Sequence, residues 1–258
     1  MFQSSRRPDA GGETWPKFPE GRVGYAIGDI HGRIDLLVAM IERLEADHPA
    51  PDPAAPPIVV FLGDYVDRGP DSRGVIQLLM QRRPKGFERR YLLGNHEAML
   101  LKFIQDPVEN RHWLTQGGMA TLASYGVQVP PAVASKTLLK EAGDQFREAI
   151  PEDHLEFMLG LERYVVLGDY AMVHAGINPD RPMQAQTDED LLWIRKKFLQ
   201  NRRRHEYMIV HGHTPIDLPY KDDRRIGVDT GAYASGRLTA VKLHGGETEF
   251  ISVASGVG

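Results

Sequence analysis

The stretches Gly28-Asp29-Ile30-His31-Gly32 and Gly63-Asp64-Tyr65-Val66-Asp67-Arg68-Gly69 decide how this sequence is interpreted. The first follows the apolar run Val23–Ile27, and the second follows Ile58–Leu62. Apolar, β-branched runs that stop at Gly-Asp are typical of buried strands that end in turns. The sequence therefore predicts two strands whose carboxyl ends carry acidic residues and histidine.

A third element extends this pattern along the chain. Gly94-Asn95-His96-Glu97 follows the short apolar run Tyr91–Leu93. Helical patterns at Leu36–Leu44 and Val75–Gln81 separate the three strands, so the front half is predicted to be a βαβαβ unit.

The later part of the chain changes character twice. Residues 98–160 carry long helical patterns and predict a helical insertion or cap, after which strand character returns. Tyr164–Leu167 and Tyr170–His174 flank Gly168-Asp169, the two-residue loop of a β-hairpin. We therefore expect an α/β fold formed by a single domain at residues 22–258, with the insertion at about residues 98–160 and an N-terminal extension at residues 1–21.

The composition excludes several classes of protein. Of the 258 residues, 41% are apolar and 26% are charged, which is typical of a globular domain. There is no cysteine, which excludes thiolate ligands and a cysteine nucleophile. A net charge of −4 gives no general attraction to nucleic acid, and the basic run Lys196–Arg204 is more typical of a solvated helix face than of a binding site. No apolar run suggests a secretory signal or a membrane span, so we expect a cytoplasmic protein without membrane or nucleic-acid partners.

The polar elements at the strand ends have the residue types of a metal site. The three elements above are joined by His174-Ala175-Gly176 and by His211-Gly212-His213-Thr214. Side chains at the carboxyl ends of strands can converge in one crevice, even when they come from distant segments. Asp, His and Asn offer oxygen and nitrogen ligands that suit manganese, iron or zinc more than calcium. Each element alone is more typical of a turn or a buried histidine, but their agreement favours a centre of two metals that share a carboxylate.

These elements resemble the signature of the metal-dependent phosphoprotein phosphatase family within the calcineurin-like metallophosphoesterases. The patterns GDxHG, GDxVDRG and GNHE occur in order, and the resemblance spans roughly residues 23–243. The segment from Asp229 to Ala240 resembles the bacterial and bacteriophage branch of the family. The resemblance implies a β-sheet sandwich flanked by helices and two divalent ions, preferably Mn²⁺, with iron or zinc as alternatives.

The resemblance also implies a role for each site residue. It implies six metal ligands: Asp29 and His31 for the first metal, Asp64 as the bridge, and Asn95, His174 and His213 for the second. It implies four catalytic residues: His96 as the general acid, Asp67 as the carboxylate that orients it, and Arg68 and Arg195 as the phosphate-binding pair. The role of His211 stays open.

These roles agree with the chemistry of phosphate ester hydrolysis. Two divalent ions lower the pKa of a bridging water and hold phosphate oxygens for in-line attack, so no covalent phosphoenzyme is needed. A departing alkoxide needs a proton, which a histidine can donate because a neighbouring carboxylate raises its pKa. Guanidinium groups pair with phosphate oxygens through two parallel hydrogen bonds.

Within the resemblance, Asp67 and Glu97 favour a hydrolase of phosphomonoesters. The branch that cleaves diadenosine tetraphosphate symmetrically shares the metal core, but it usually lacks the second Asp of GDxVDRG and ends the third pattern in Asp. We therefore predict a serine/threonine or dual-specificity protein phosphatase that acts on a phosphorylated protein or a small phosphate ester. The alternatives are a symmetrical dinucleoside polyphosphate hydrolase, with residues 98–160 as a nucleotide-holding cap, and a metal-binding protein without turnover.

Overall fold

The computed structural model describes residues 16–48, 50, 52–81, 84–131 and 134–255. Its front half alternates strands and helices as the apolar runs predict: β1 (Val23–Ile27), α1 (Ile34–Asp47), β2 (Ile58–Phe61), α2 (Ser72–Gln81) and β3 (Glu88–Tyr91). The third strand begins and ends earlier than predicted, because Leu92 makes only an isolated bridge, to Glu162. The elements that precede the polar motifs are therefore present, with one boundary shifted.

Two mixed sheets of five strands each form the core. The first sheet has the order β10-β9-β1-β2-β3, in which β9 is Arg237–His244 and β10 is Glu247–Ala254. Strands β1, β2 and β3 run parallel, while β9 is antiparallel to both β1 and β10. The parallel strands place the three polar motifs at one edge of this sheet.

The second sheet has the order β4-β5-β6-β8-β7. Its strands are β4 (Tyr164–Leu167), β5 (Tyr170–Val173), β6 (Met208–His211), β7 (Tyr220–Lys221) and β8 (Arg225–Gly227). The predicted hairpin is confirmed, since β4 and β5 pair antiparallel across the two-residue loop. Strands β5, β6 and β8 run parallel, which places His174 and His213 at corresponding strand ends.

The two sheets pack face to face, and helices cover their outer faces. Val60 of the first sheet shares a buried cluster with Met172 and Val210 of the second. Residues that alternate with Val60 along the strand, such as Phe61, point instead into a cluster with α1 and α2. Successive side chains of a strand point to opposite faces of the sheet, so a strand that is buried on both faces contributes to both clusters. The sandwich flanked by helices, predicted from the sequence, is confirmed.

The segment predicted as an insertion is helical. It contains α3 (Asn95–Gln105), a π-helical turn (Leu114–Gly118), α4 (Met119–Ser124), α5 (Lys136–Ala149) and α6 (Glu152–Leu159). Trp113, Leu122 and Phe146 are buried in the same cluster as α1 and α2. That this segment acts as a cap stays a prediction.

The N-terminal extension lies mostly outside the described residues, which begin at Pro16. Phe18 is buried between the two sheets, so the described end of that segment packs on the core. The predicted domain boundaries stay predictions. Across the described part of the chain, none of the helices has the length and apolarity that crossing a membrane requires.

Candidate active site

The loops after β1, β2 and β3 are tied to one another by backbone contacts. The backbone N–H groups of Ile30 and His31 donate to the carbonyl of Asp64, at 3.0 and 2.8 Å. A β-carbon on Gly63, whose φ is 103°, would lie 2.6 Å from the backbone nitrogen of Gly94, so this close approach requires glycine. The three predicted motifs therefore form one connected layer at the sheet edge.

Two groups of side chains that could hold a metal ion share Asp64. The first group is His31, Asp64 and His96, and the second is Asp64, His174 and His213, with the ligand atoms of each group within 4.8 Å of one another. Nε2 of His31 lies 3.6 Å from Oδ2 of Asp64, and Nε2 of His174 lies 3.4 Å from Oδ1. The two oxygens of the Asp64 carboxylate thus face different groups of side chains. A ligand that bridges two metal ions needs this arrangement.

The ring orientations of His31 and His174 suit metal binding. Nδ1 of His31 donates to the carbonyl of Val66 at 2.8 Å, and Nδ1 of His174 donates to that of Leu62 at 2.9 Å. These bonds leave Nε2 unprotonated in the neutral ring, as a ligand must be. Burial is the largest influence on both rings and lowers the pKa of each, that of His31 to about 3. Both rings are therefore held in the neutral form.

Asn95 and His213 complete the second side of the centre, and Asp29 lies next to the backbone of His213. Oδ1 of Asn95 lies 2.9 Å from Nε2 of His174 and 2.8 Å from Nδ1 of His213. Since Nδ1 of His174 already carries the proton, its Nε2 and this oxygen are two acceptors that need a proton or a cation between them. The carboxylate of Asp29 accepts the backbone N–H of His213 at 3.1 Å. The six predicted ligands thus lie around one buried centre.

The buried negative charge at this centre favours cations. Burial raises the pKa of Asp29 well above its usual value, and repulsion from Asp229 and Asp64 raises it further. Burial alone would also raise the pKa of Asp64, but the surrounding histidines, His174 foremost, lower it overall. Buried carboxylates are stable when they are paired or coordinate metal ions. The donor set, nitrogen and oxygen without sulfur, fits two divalent transition ions.

Backbone strain is concentrated in the same residues. Among the described residues, positive φ outside glycine occurs at five positions, with angles of 47° to 73°: His31, Asp64, Asp67, Arg68 and His213. All five belong to the predicted site. Left-handed backbone costs an L-residue roughly 1–2 kcal/mol and persists where the surrounding structure enforces it, often at functional sites. The strain points to this centre independently of the residue types.

His96 lies beside the centre and is held by Asp67. Its Nδ1 lies 2.6 Å from Oδ2 of Asp67. The same oxygen accepts Nε1–H of Trp113 at 2.7 Å, and Oδ1 accepts the hydroxyl of Thr121 at 2.6 Å. Burial alone would lower the pKa of His96, but the carboxylates of Asp64 and Asp67 raise it overall. A histidine with a raised pKa beside the metal centre can donate a proton.

Trp113 and Thr121 were missed by the sequence analysis. Both lie in the helical segment, so that segment supports the site as well as packing on the core. The pair Gly117-Gly118 inside a helical pattern was the available signal. A β-carbon on Gly117, whose φ is 120°, would lie 2.7 Å from Cγ of Arg68, so glycine here lets the segment approach the centre.

Both predicted arginines reach the centre. Arg68 contacts histidines of the first group, and Arg195 contacts a histidine of the second group. Arg68 donates to Nε2 of His31 and to Nε2 of His96, each at 3.0 Å. Arg195 donates from Nε to Nε2 of His213 at 3.1 Å and from a terminal nitrogen to the carbonyl of that residue at 3.3 Å. Two guanidinium groups thus stand at the metal centre, where an anionic substrate would bind.

Glu97 holds the second motif in place. Its Oε1 accepts the N–H groups of Tyr65 and Val66, at 2.7 and 3.1 Å, and its Oε2 accepts those of Asp64 and Gly94, at 2.9 and 3.0 Å. Four backbone donors on one buried carboxylate fix the loop that carries Asp64.

His211 and the basic run lie outside these contacts. The His211 ring packs edge-on against Phe198, and its Nδ1 contacts the carbonyl of Gly212 at 3.0 Å. Burial is the largest influence on this ring and lowers its pKa to about 4. His211 is thus a buried histidine behind the site.

The basic run forms ion pairs at the surface. Lys197 pairs with Asp180, and Arg204 pairs with Asp223.

The fold and the centre define a metal-dependent phosphoesterase. The sequence profile described as calcineurin-like phosphoesterase matches residues 25–244, and the chain belongs to that family. This match confirms the expected membership of the metallophosphoesterase family and, with it, the expected class of hydrolase.

Curated relatives are similar over nearly the whole chain. The bis(5'-nucleosyl)-tetraphosphatase PrpE of Bacillus subtilis, designated asymmetrical, is 28% identical over 249 residues, which cover 89% of this chain and 93% of its own. The protein of the same name from Halalkalibacterium halodurans is 28% identical over 240 residues. These residues cover 89% of this chain and 92% of the relative.

Solved structures share the fold at lower identity. One, provisionally named a diadenosine tetraphosphatase, has a TM-score of 0.63 and 22% identity, with 92% of this chain and 95% of its own covered. A cold-active protein-tyrosine phosphatase of a Shewanella species has a TM-score of 0.56 and 17% identity. The match covers 92% of this chain and 83% of the phosphatase chain. Because enzymes named for different substrates share this fold, the fold alone does not select the substrate.

The predicted protein phosphatase acting on phosphomonoesters is wrong, because the full-length relatives are named as dinucleoside tetraphosphatases. The structure gives the physical reason. Asp67 orients His96, and Glu97 holds the loop of Asp64, and both tasks are needed whichever phosphate compound is attacked. These two residues therefore carry no information on the substrate.

Proposed function

We propose that this protein hydrolyses dinucleoside polyphosphates of the diadenosine tetraphosphate type and cuts them asymmetrically, into a nucleoside triphosphate and a nucleoside monophosphate. The observation that carries the proposal is the similarity to tetraphosphatases over 89% of this chain and 93% of a relative. The buried centre supports it, since two cations and two arginines suit a polyanionic phosphate chain.

The proposed metal ligands are six side chains around the buried centre. Asp29 and His31 would hold one cation, Asn95, His174 and His213 would hold the other, and Asp64 would contribute to both. When bound, two divalent cations lower the pKa of a water and screen the charge on phosphate oxygens. Mn²⁺ is our first choice, with iron and zinc as alternatives, because imidazole and carboxylate ligands bind all three.

The side chains around the centre divide the remaining work. Arg68 and Arg195 bind phosphate oxygens, for which Arg68 would turn away from His31 and His96, and Arg195 away from His213. His96 holds a proton at Nε2 once Arg68 has turned, and donates it to the leaving phosphate oxygen. Asp67 keeps the ring oriented through Nδ1, and Trp113 and Thr121 keep Asp67 in place. A phosphate leaves more readily than an alkoxide, so this proton matters less here than for a serine ester.

The test compares substrates and identifies products. Purified protein loaded with Mn²⁺ is offered diadenosine tetraphosphate, p-nitrophenyl phosphate and a phosphopeptide, and kcat/KM is measured for each. We expect the dinucleotide to be preferred by more than about tenfold, a difference in transition-state binding of about 1.4 kcal/mol. We expect ATP and AMP as products, with Asp64→Asn as the inactive control.

Each outcome decides a separate part of the proposal. A higher kcat/KM for either monoester would refute the substrate class. Two molecules of ADP as the product would refute the asymmetrical cut and leave the substrate class standing. Equal activity of wild-type protein and Asp64→Asn would show that another site performs the reaction.

A further inference from the structure

Two exposed aromatic rings lie beside the metal centre. Among the described residues, seven large apolar side chains are exposed, and the two aromatic ones are Trp193 and Tyr233, at 37% and 39%. Neither ring belongs to the three hydrophobic clusters that the described residues form. Packing in the core therefore does not explain why these positions carry large flat side chains.

Both rings contact histidines of the centre. The Tyr233 ring lies edge-on to His31, with centroids 5.3 Å apart, and the Trp193 ring lies edge-on to His213, with centroids 6.4 Å apart. His31 and His213 belong to the two different ligand groups that share Asp64. The rings therefore stand at opposite ends of the metal centre.

An arginine also lies near each ring, in space for Tyr233 and along the chain for Trp193. The guanidinium carbon of Arg68 lies 4.8 Å from the centre of the Tyr233 ring. Trp193 ends α7 (Asp188–Trp193), and Arg195 follows it at the start of α8 (Lys196–Leu199). An arginine beside an exposed aromatic ring offers a phosphate contact and a stacking surface at neighbouring points.

We propose that Trp193 and Tyr233 are stacking surfaces for the two nucleobases of the substrate, one at each end of the metal centre. This inference rests on the proposed function, because only a dinucleotide carries a base on both sides of its phosphate chain. Stacking uses the π-face that every base has, so these rings select for a base without selecting its identity. The enzyme should therefore accept guanine in place of adenine.

The experiment separates base recognition from catalysis by changing the substrate. Diadenosine tetraphosphate is compared with its abasic analogue, in which hydrogen replaces each base while both riboses and all four phosphates remain. Trp193→Leu keeps an apolar side chain and removes the flat ring. We expect kcat/KM to fall roughly 5- to 150-fold further for the dinucleotide than for the abasic analogue, mainly through KM.

Tyr233 needs a matched pair of variants, because its ring also contacts Arg68. Tyr233→Phe keeps the ring and should behave as wild type. Tyr233→Leu should slow both substrates through Arg68, and the additional loss with the dinucleotide measures the stacking. Leu159→Ala changes an exposed apolar side chain at the end of α6 and serves as the surface control.

The results that overturn the proposal differ from those that overturn the function. If Trp193→Leu and Tyr233→Leu each slow both substrates equally, the rings only position neighbouring side chains. If neither variant slows the dinucleotide, they do not contact it. A wild-type enzyme that hydrolyses both substrates with equal kcat/KM refutes stacking alone. A wild-type enzyme that hydrolyses neither refutes the proposed function together with this inference.

Discussion

The replacement Glu97→Gln tests how the bridging aspartate is held. The carboxylate of Glu97 accepts four backbone N–H groups, two on each oxygen. Glutamine offers one oxygen and one NH₂ group, so two of the four donors would lose their acceptor and face another donor. At an assay pH above the pKa of Glu97 the carboxylate is charged, and a hydrogen bond to a charged group contributes about 1.5–3 kcal/mol, so two lost bonds correspond to about 3–6 kcal/mol.

One effect opposes this loss. Burial is the largest influence on Glu97 and raises its pKa to about 8, which means that the buried charge is itself unfavourable. Replacing it with a neutral amide relieves that cost, so we expect the lower end of the range, about 3 kcal/mol. For a domain of this size, 1 kcal/mol corresponds to about 2–4 °C, so the unfolding temperature should fall by roughly 6–12 °C.

The assay combines thermal unfolding with turnover. Unfolding is followed by circular dichroism without added metal, and turnover of diadenosine tetraphosphate is measured with Mn²⁺. Because the loop of Asp64 would shift, and misplacement by about 1 Å costs about a hundredfold in rate, kcat should fall by about that factor. Glu141→Gln, on the exposed face of α5, is the matched control. An unfolding temperature equal to that of the control would refute the reasoning.

Three further variants test other parts of the site. Asp64→Asn should bind fewer than two ions per chain by elemental analysis after manganese loading, because it weakens the one ligand that both groups share; retention of two ions would contradict the bridging assignment. His96→Ala should slow the hydrolysis of a serine phosphate ester by about 10²- to 10⁴-fold and that of p-nitrophenyl phosphate by less, because only the serine alkoxide is a poor leaving group that needs a proton. Equal losses of rate for the two esters would contradict the role of His96 as general acid. Gly117→Ala should lower the free energy of unfolding by more than Gly126→Ala, because both have positive φ but only the first would place a β-carbon 2.7 Å from Arg68; equal losses in urea unfolding would contradict the close approach.

The convergence of the proposed metal ligands could be predicted from the sequence for a physical reason. Each ligand follows an apolar run closely, and the ends of parallel strands meet at one sheet edge whatever the intervening chain does. Local pattern and topology were therefore sufficient for Asp29, Asp64 and His174. The boundary of β3 was less predictable, because Tyr91–Leu93 is apolar although the strand itself is Glu88–Tyr91, with two arginines.

The contacts that support His96 could not be predicted in the same way. Trp113 and Thr121 lie 46 and 54 residues after Asp67, and they reach it because whole helices pack on the sheet. The pair Gly117-Gly118 indicates a close approach of this segment, but no local pattern identifies the residues that it meets. The substrate was not predictable either, because the motifs contain the residues that hold metals and protons. Groups that contact the rest of a substrate, as we propose for Trp193 and Tyr233, lie outside them.

The five strained residues of the centre also affect how this protein can be evolved in the laboratory. Glycine adopts positive φ without strain, so at these positions it removes a cost that the site imposes on the metal-free fold. A library selected only for heat resistance would therefore be enriched in variants that have lost ligands. Selection in the presence of the metal opposes this drift, because the bound ions stabilise only chains that keep their ligands.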